Sequence, residues 1–325
     1  MLRALVAPPT LAPRMTDILT LTINPALDVV TDIDQVSDTH KMRCNTPIKH
    51  PGGGGVNVAR VLHRLGAHCE AVYLAGGVTG ARHHQLMQAE KVPCRVLPIA
   101  EETRENFSVH ENTSGHDFRF VLPGPHVSVA EYEGLFKDVA QHLPKQLLVI
   151  SGGLAPGVPD DFYARLATLA KQQGVRVVLD TNGPALKQAL QVGVYLFKPS
   201  LRELRDLTGL ALPDADSQVA AARQLIQQGQ AEIVAVSLGG DGAMVISADQ
   251  AWHAQAIAVD VRTTIGAGDS FVAGMVWSLG RDDNLLKAFQ YGMSAGAAAL
   301  LAPGTSLSQA ADIHRLMPQL VVHAI

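Results

Sequence analysis

The sequence predicts a three-layer α/β/α domain, with a mostly parallel central sheet, helices on both of its faces and a small β-sheet lid over one edge. Three observations predict it. Short, near-continuous apolar runs alternate with helical stretches, the pattern of parallel strands covered on both sides. The helical stretches end on glycines where C-caps belong, at Gly66, Gly174 and Gly229. Two segments break this alternation and switch between polar and apolar residues, which reads as strands of a second sheet.

Taken in order, the chain opens with MLRALVAPPTLAPRM, where Pro8, Pro9 and Pro13 interrupt a short apolar run before a signal-peptide core can form. Residues 1–14 are therefore expected to be a disordered extension, and residues 15–325 a single domain. ILTLTI (18–23) is the first strand. DVVTDIDQVSDTHKMRCNTPIKH (28–50) is the first lid segment, in which Lys41 and Arg43, two apart on a predicted strand, share one face. VNVARVLHRLG (56–66) is helical and AVYLAG (71–76) a strand. RENFSVHENTSGHDFRFVL (104–122) is the second lid segment, with a turn at NTSGHD; both lid segments read as antiparallel strands. LLVISG (147–152), VRVVLD (175–180), VYLFKP (194–199) and IVAVSLG (233–239) continue the parallel sheet, with helices at 160–174 and 217–229 between them. Ligands in such sheets bind beyond the carboxyl ends of the strands.

Composition narrows the function. A chain of 325 residues, 47% hydrophobic, builds one large domain or two small ones. A net charge of -4, without a basic run, argues against a nucleic-acid or membrane-surface role. No apolar stretch reaches the roughly 18 residues of a membrane span. Cys44, Cys69 and Cys94 are scattered and odd in number, which excludes a disulfide framework or zinc site and fits a reducing cytoplasm.

Several familiar motifs fail. There is no Gly-Lys pair and hence no Walker A loop, and PGGGGVNVAR lacks the third glycine of a dinucleotide fingerprint. His83 and His84, adjacent on a predicted helix, point in different directions. GMSAG (292–296) matches G-x-S-x-G, but it lies inside a helical run, so Ser294 is expected to be a packing residue rather than a nucleophile.

Two glycine-rich stretches carry the chemistry. In TTIGAGDSFVAG (263–274), small residues precede a helix, so backbone N–H groups at its positive end can approach an anion. Asp269 in the same turn would repel a resting phosphate, yet it suits a base that takes a proton from an attacking hydroxyl; the other reading is a helix N-cap. In PGGGGVNVARVLHRLG (51–66), four glycines open a helix and Asn57 offers a donor and an acceptor to a sugar; here the other reading is a flexible turn before a capped helix.

Together these stretches resemble the two signatures of the ribokinase-like, phosphofructokinase B-type carbohydrate kinases. INPALD (23–28), TRENFSVH (103–110), SGGLAPGV (151–158), LFKPSLREL (196–204) and VSLGGDGA (236–243) follow in that family's order, so the resemblance runs from about residue 18 to 307. GGGGVN, KMRC (41–44) and FRFVLPG (118–124) are most similar to its bacterial 6-phosphofructokinase branch. The resemblance implies a ribokinase-like fold and transfer of the ATP γ-phosphoryl group to fructose 6-phosphate, with Mg²⁺ as cofactor. Kinases for fructose 1-phosphate or tagatose 6-phosphate, and a binding module without turnover, are the alternatives. It implies Asp269 as base and the amides of Gly266, Ala267 and Gly268 as the anion hole. Asp28, Gly53, Gly54, Asn57, Lys41, Arg43 and Arg104 would bind the sugar phosphate, with Arg104 able to reach a neighbouring subunit's site in a lid-mediated homodimer. Lys198, Ser200, Ser237, Leu238, Gly239, Gly242 and Thr264 would lie along the nucleotide, and Glu203 would organise the metal through water. Three positions depart from the family pattern: Ser200 in its N-x-x-E, Gly153 in its G-S-L-P, and Ala302 where relatives often carry Asn.

Overall fold

The structure, a computed structural model, describes residues 17–282 and 284–325, so the expected N-terminal extension lies outside the described residues. In chain order the strands are β1 (Ile18–Thr22), β2 (Ala26–Ile33), β3 (Ile48–Gly52), β4 (Cys69–Ala75), β5 (Cys94–Pro98), β6 (Arg104–Glu111), β7 (Asp117–Val121), β8 (Leu147–Ser151), β9 (Arg176–Asp180), β10 (Val194–Phe197), β11 (Ala231–Ser237), β12 (Ala243–Ile246), β13 (Ala251–Ala254) and β14 (Val322–Ala324). The helices are α1 (Gly54–Arg64), α2 (Gly77–Ala89), α3 (Val129–Gln141), α4 (Phe162–Gln172), α5 (Gly183–Val192), α6 (Leu201–Thr208), α7 (Ala215–Gln227), α8 (Ala267–Leu279), α9 (Leu285–Leu300) and α10 (Ala310–Leu316).

The main sheet runs β14-β13-β12-β11-β10-β9-β8-β1-β4-β5. From β11 to β5 every pairing is parallel; β12, β13 and β14 extend one edge antiparallel. Period-two alternation sorts the side chains. Leu148 and Ile150 of β8 face the core under α3 to α7, whereas Leu147 and Val149 face the core under α1, α8, α9 and α10. The chain order reverses at β1, with β4 on one side and β8 on the other. That reversal opens a crevice at the strands' carboxyl ends, the place where doubly wound sheets bind ligands.

The two lid segments meet as a four-stranded sheet, β3-β2-β6-β7. Its central pair, β2 with β6, is parallel, which corrects the expectation of a wholly antiparallel lid. A second correction concerns Lys41 and Arg43. They lie in an irregular, exposed stretch between β2 and β3 rather than on a strand. The alternation of KMRC has no surface to bury one face against, so it gains nothing from pairing. Ser294 sits inside α9, fully buried, and its Oγ donates to the Gln290 carbonyl at 2.8 Å, as a packing residue does. His83 and His84 do diverge: His83 is buried against the Gly52 carbonyl, whereas His84 turns to the Tyr73 hydroxyl.

Candidate active site

Two helix N-termini converge on the switch-point crevice. Helix α1 starts after Gly53, whose φ of 120° is open only to glycine, and a Cβ there would sit 2.8 Å from Thr22 Cγ2. A Cβ on Gly54 would collide with Ser151 at the end of β8, so the glycines let the loop lie flat against the sheet edge. Helix α8 starts after Gly266, φ 77°, where a Cβ would strike Leu307. The N-cap of α8 is therefore Gly266 and not Asp269, which stands in the first turn. The first intrahelical bond shown is Ser270 N to Gly266 O at 2.9 Å, so the amides of Ala267 and Gly268 belong to the unpaired first turn and are available to an anion.

Between these helix ends lies a cleft of about 460 Å³. It is lined by Asp28, Gly53, Gly54, Asn57, Arg104, Glu203, Gly266 and Asp269, which unites the sequence-derived sugar-site and catalytic candidates apart from Lys41 and Arg43. Those two line a separate shallow depression with Asp34 and His40. A larger groove, about 670 Å³, lies at the opposite ends of β9, β10 and β11. Its cations Lys171 and Arg176 stand among Glu232 and Asp249, and among the described residues no helix begins in its lining, so it lacks the convergence of the switch-point cleft.

The lid register explains the cleft's polar wall. Arg104, Asn106 and Ser108 share one face of β6, and Arg119 of β7 pairs with Ser108 on that face. Asp28 pairs with Asn106, and its Oδ1 accepts from Asn106 Nδ2 at 3.0 Å. Burial holds the Asp28 carboxyl above its ordinary range against that bond and the nearby arginines. Arg104 lies in its own chain's cleft and donates to the carbonyls of Leu122 at 3.0 Å, Asn24 at 3.0 Å and Pro25 at 3.4 Å. Arg119 is exposed and has no ion-pair partner among the described residues.

Asp269 is the electrostatic centre. Asn57 Nδ2 donates to its Oδ2 at 2.8 Å. Burial, then the like charge of Asp180, push its carboxyl up to about 6, against the Asn57 bond and the Lys198 charge. Lys198 Nζ pairs with Asp180 Oδ1 at 3.2 Å. Burial pulls on its proton, but Asp180, Glu203 and Asp269 outweigh burial and keep the ammonium charged. A Cβ on Gly268 would stand 3.7 Å from Lys198 Nζ, so this cation lies beside the first turn of α8.

The nucleotide candidates form the neighbouring rim. Ser200 caps α6: its Oγ accepts from Glu203 N, while Glu203 Oε2 accepts from Ser200 N at 2.7 Å and Oγ at 2.9 Å. Ser237 ends β11 and bridges to Ser200. Leu238 leads into the turn Gly239–Asp241, and Gly242 follows at φ 96°. Thr264 is exposed on the loop before α8.

Sequence reasoning missed Asp180, Arg119, Asn106 and Arg60. Asp180 had a positional signal, as the last residue of an apolar strand whose carboxyl end faces the ligand crevice. Arg119 and Asn106 had a weaker one, their period-two relation to other lid residues. Arg60 had none.

A mostly parallel sheet with a switch-point cleft, open amides at a helix N-terminus and a half-buried carboxylate beside them is the arrangement of an α/β phosphotransferase. The model of the pfkB family carbohydrate kinases matches residues 22–312, and the chain belongs to that family. It is similar to ATP-dependent 6-phosphofructokinase isozyme 2 of Mycobacterium tuberculosis (strain ATCC 25618 / H37Rv), 43% identical over 92% of this chain and 88% of the relative. It is similar to ATP-dependent 6-phosphofructokinase isozyme 2 of Escherichia coli (strain K12), 37% identical over 93% of this chain and 98% of the relative. A crystal structure of phosphofructokinase-2 from Escherichia coli in complex with fructose-6-phosphate superposes with a TM-score of 0.88 at 35% identity, covering 94% of this chain and 99% of that one. The ribokinase-like fold expected from the sequence is thus the fold observed.

Proposed function

We propose that this kinase transfers the γ-phosphoryl group of ATP to the C1 hydroxyl of fructose 6-phosphate, giving fructose 1,6-bisphosphate and ADP. The observation that carries the reading is the half-buried Asp269, its carboxyl pushed up to about 6, in the first turn of a helix whose leading amides are open. A base at this value is ionised near neutrality and still basic enough to take a hydroxyl proton in the transition state. The C1 oxygen bonds to the γ-phosphorus, the bond from that phosphorus to the β,γ-bridging oxygen breaks, and the proton passes to Asp269. The amides of Ala267 and Gly268, with Lys198 beside them, stabilise charge on the transferring group. Asp28, buried and fixed by Asn106, accepts from sugar hydroxyls. Arg104 and Arg119 line the same cleft and take the 6-phosphate, in keeping with the fructose-6-phosphate complex of the Escherichia coli relative.

Mg²⁺ fits the donor set. Among the described residues no three His, Cys, Asp or Glu form a metal cage. Mg²⁺ is commonly held by one or two carboxylates, waters and substrate phosphates instead. Glu203 lines the cleft, and with Oε2 taken by Ser200 its Oε1 remains without a partner among the described residues to hold the ion through water. When bound, the ion neutralises phosphate charge. The lid exposes Met42, Ile48, Phe107, Phe120, Val121 and Leu122, an apolar surface that a second lid would cover in a homodimer. Among the described residues no helix is long and apolar enough to cross a membrane; with scattered free thiols, a cytoplasmic enzyme is the reading that fits.

An ATP-dependent activity screen over hexose monophosphates, with product positions assigned by NMR, tests the substrate. Fructose 6-phosphate should be phosphorylated at C1 with the highest kcat/KM. Preference for fructose 1-phosphate or tagatose 6-phosphate would overturn the choice of substrate, and no turnover on any would overturn the kinase reading.

A further inference from the structure

Behind the cleft, a line of hydrogen bonds runs from Asp269 through α1 to the end of α2. Asn57, 4% exposed, donates from Nδ2 to Asp269 and accepts on Oδ1 from Arg60 Nη1 at 3.2 Å. A guanidinium has no lone pair, so the atom it meets must be the amide oxygen. The amide is thereby turned with its N–H groups toward Asp269. Arg60, 1% exposed, lies one turn beyond Asn57. Its Nε and Nη2 donate to Glu90 Oε1 at 2.9 and 2.6 Å, and its Nη1 also donates to the carbonyls of Pro51 and Thr305, each at 3.1 Å. Glu90 Oε2 takes Arg64 Nη2 at 2.7 Å. Burial works against the Glu90 charge, yet the two guanidiniums hold its carboxyl below the ordinary range.

A fully buried arginine is rare unless it is paired, and this one pairs with Glu90 through Nε and Nη2 while Nη1 touches Asn57, which touches Asp269. We propose that Glu90 and Arg60 are positioning residues for phosphoryl transfer: Glu90 orients Arg60, Arg60 locks the Asn57 amide, and the amide aims the Asp269 carboxylate. The proposal rests on the reading of Asp269 as base. If Asn57 turned over, its oxygen would face the carboxylate, acceptor against acceptor. The other groups bearing on Asp269 are Asp180 from β9, Lys198 after β10 and Arg119 from β7; the first repels it and the other two act through charge alone. Only Asn57 gives it a directed side-chain bond among the described residues. Lysine in place of Arg60 would keep the charge but not the fork that serves Glu90 and Asn57 together.

The test is steady-state kinetics of Glu90→Gln, Arg60→Lys, Asn57→Ala and the double variant Glu90→Gln/Asn57→Ala, with Asp269→Asn alongside and folding checked by thermal denaturation. Arg60→Lys should lower kcat about 10- to 100-fold and Glu90→Gln less, by analogy with the loss of the hydrogen-bond partners that orient metal-ligating side chains. The acid limb of the kcat profile should move to higher pH, because a directed bond that favours the ionised carboxylate is weakened, while the KM for ATP stays unchanged. Glu90→Gln should have no further effect on kcat once Asn57 is alanine; a purely structural ion pair would add its loss in either background. Additive losses, or an unchanged kcat and acid limb in both Glu90→Gln and Arg60→Lys, overturn the proposal and leave the base standing. Should Arg60→Lys fail to fold, Glu90→Gln, at a side chain 27% exposed, decides alone. An Asp269→Asn enzyme that keeps more than about a tenth of turnover removes the base itself, and the relay with it.

Discussion

Turnover should fall about tenfold for each pH unit below about 6, because the Asp269 carboxylate is then progressively protonated. The sign follows from the direction of the shift. A carboxyl raised above its usual value is an active base only above that raised value, and the base is lost as pH falls through it. With a midpoint of about 6, roughly nine-tenths of the enzyme carries the ionised base at pH 7 and about one-tenth at pH 5. A limb near 6 does not by itself assign Asp269, since the second ionisation of a phosphate monoester also falls near 6. Asp180→Asn separates the two. Asp180 is the largest charge raising Asp269, and its loss also frees Lys198 to act on Asp269. The limb of that variant should move to lower pH, whereas titration of the substrate would not move at all. Asp269→Asn completes the set: with the Asn57 amide locked, the new side chain can present its oxygen to Nδ2, so both substrates should bind while kcat drops about 10²- to 10⁴-fold. The assay is coupled ADP release from pH 5 to 8 at saturating ATP and limiting fructose 6-phosphate, so that the profile reports the enzyme before the sugar binds. An acid limb identical in wild type and Asp180→Asn, or no limb, would refute the reasoning.

Arg119→Ala should raise the KM for the sugar phosphate at least tenfold with little change for ATP; Arg104→Ala should do the same and also cost about 1–3 kcal/mol in stability, because three backbone carbonyls lose their donor. Equal effects on both KM values would move these arginines out of the sugar site. Ser200→Asn, still a good N-cap, should lower the Mg²⁺ concentration for half-maximal activity, and Glu203→Gln should raise it about 10- to 100-fold. Titration of Mg²⁺ at fixed MgATP decides this, and an unchanged requirement in both variants would remove this segment from the metal site. Light scattering at micromolar concentration should give a dimer, whereas a fully active monomer would rule out the lid interface.

What could be read in the sequence depended on whether a physical constraint is local. The parallel strands were legible because burial on both faces demands unbroken apolar runs. The antiparallel edge β12 to β14 was not, since strands of three or four residues at a sheet edge carry little pattern. The glycine loops were legible because close backbone approach leaves room for one residue type only. That is why Asp269 and Asn57 could be placed, although they meet across 212 positions of chain. Charged residues carry no such mark. Lys41 and Arg43 invited a strand that did not form, while Arg60, in the middle of an amphipathic helix, carries no local mark of being almost wholly buried. Its environment is fixed by Glu90, 30 residues on, and by the Thr305 carbonyl, 245 residues on, distances at which composition and period are silent. A glycine excludes every neighbour that would need a Cβ's space, so its role is written into its own identity. An arginine's role is written in its partners, and only the fold supplies those.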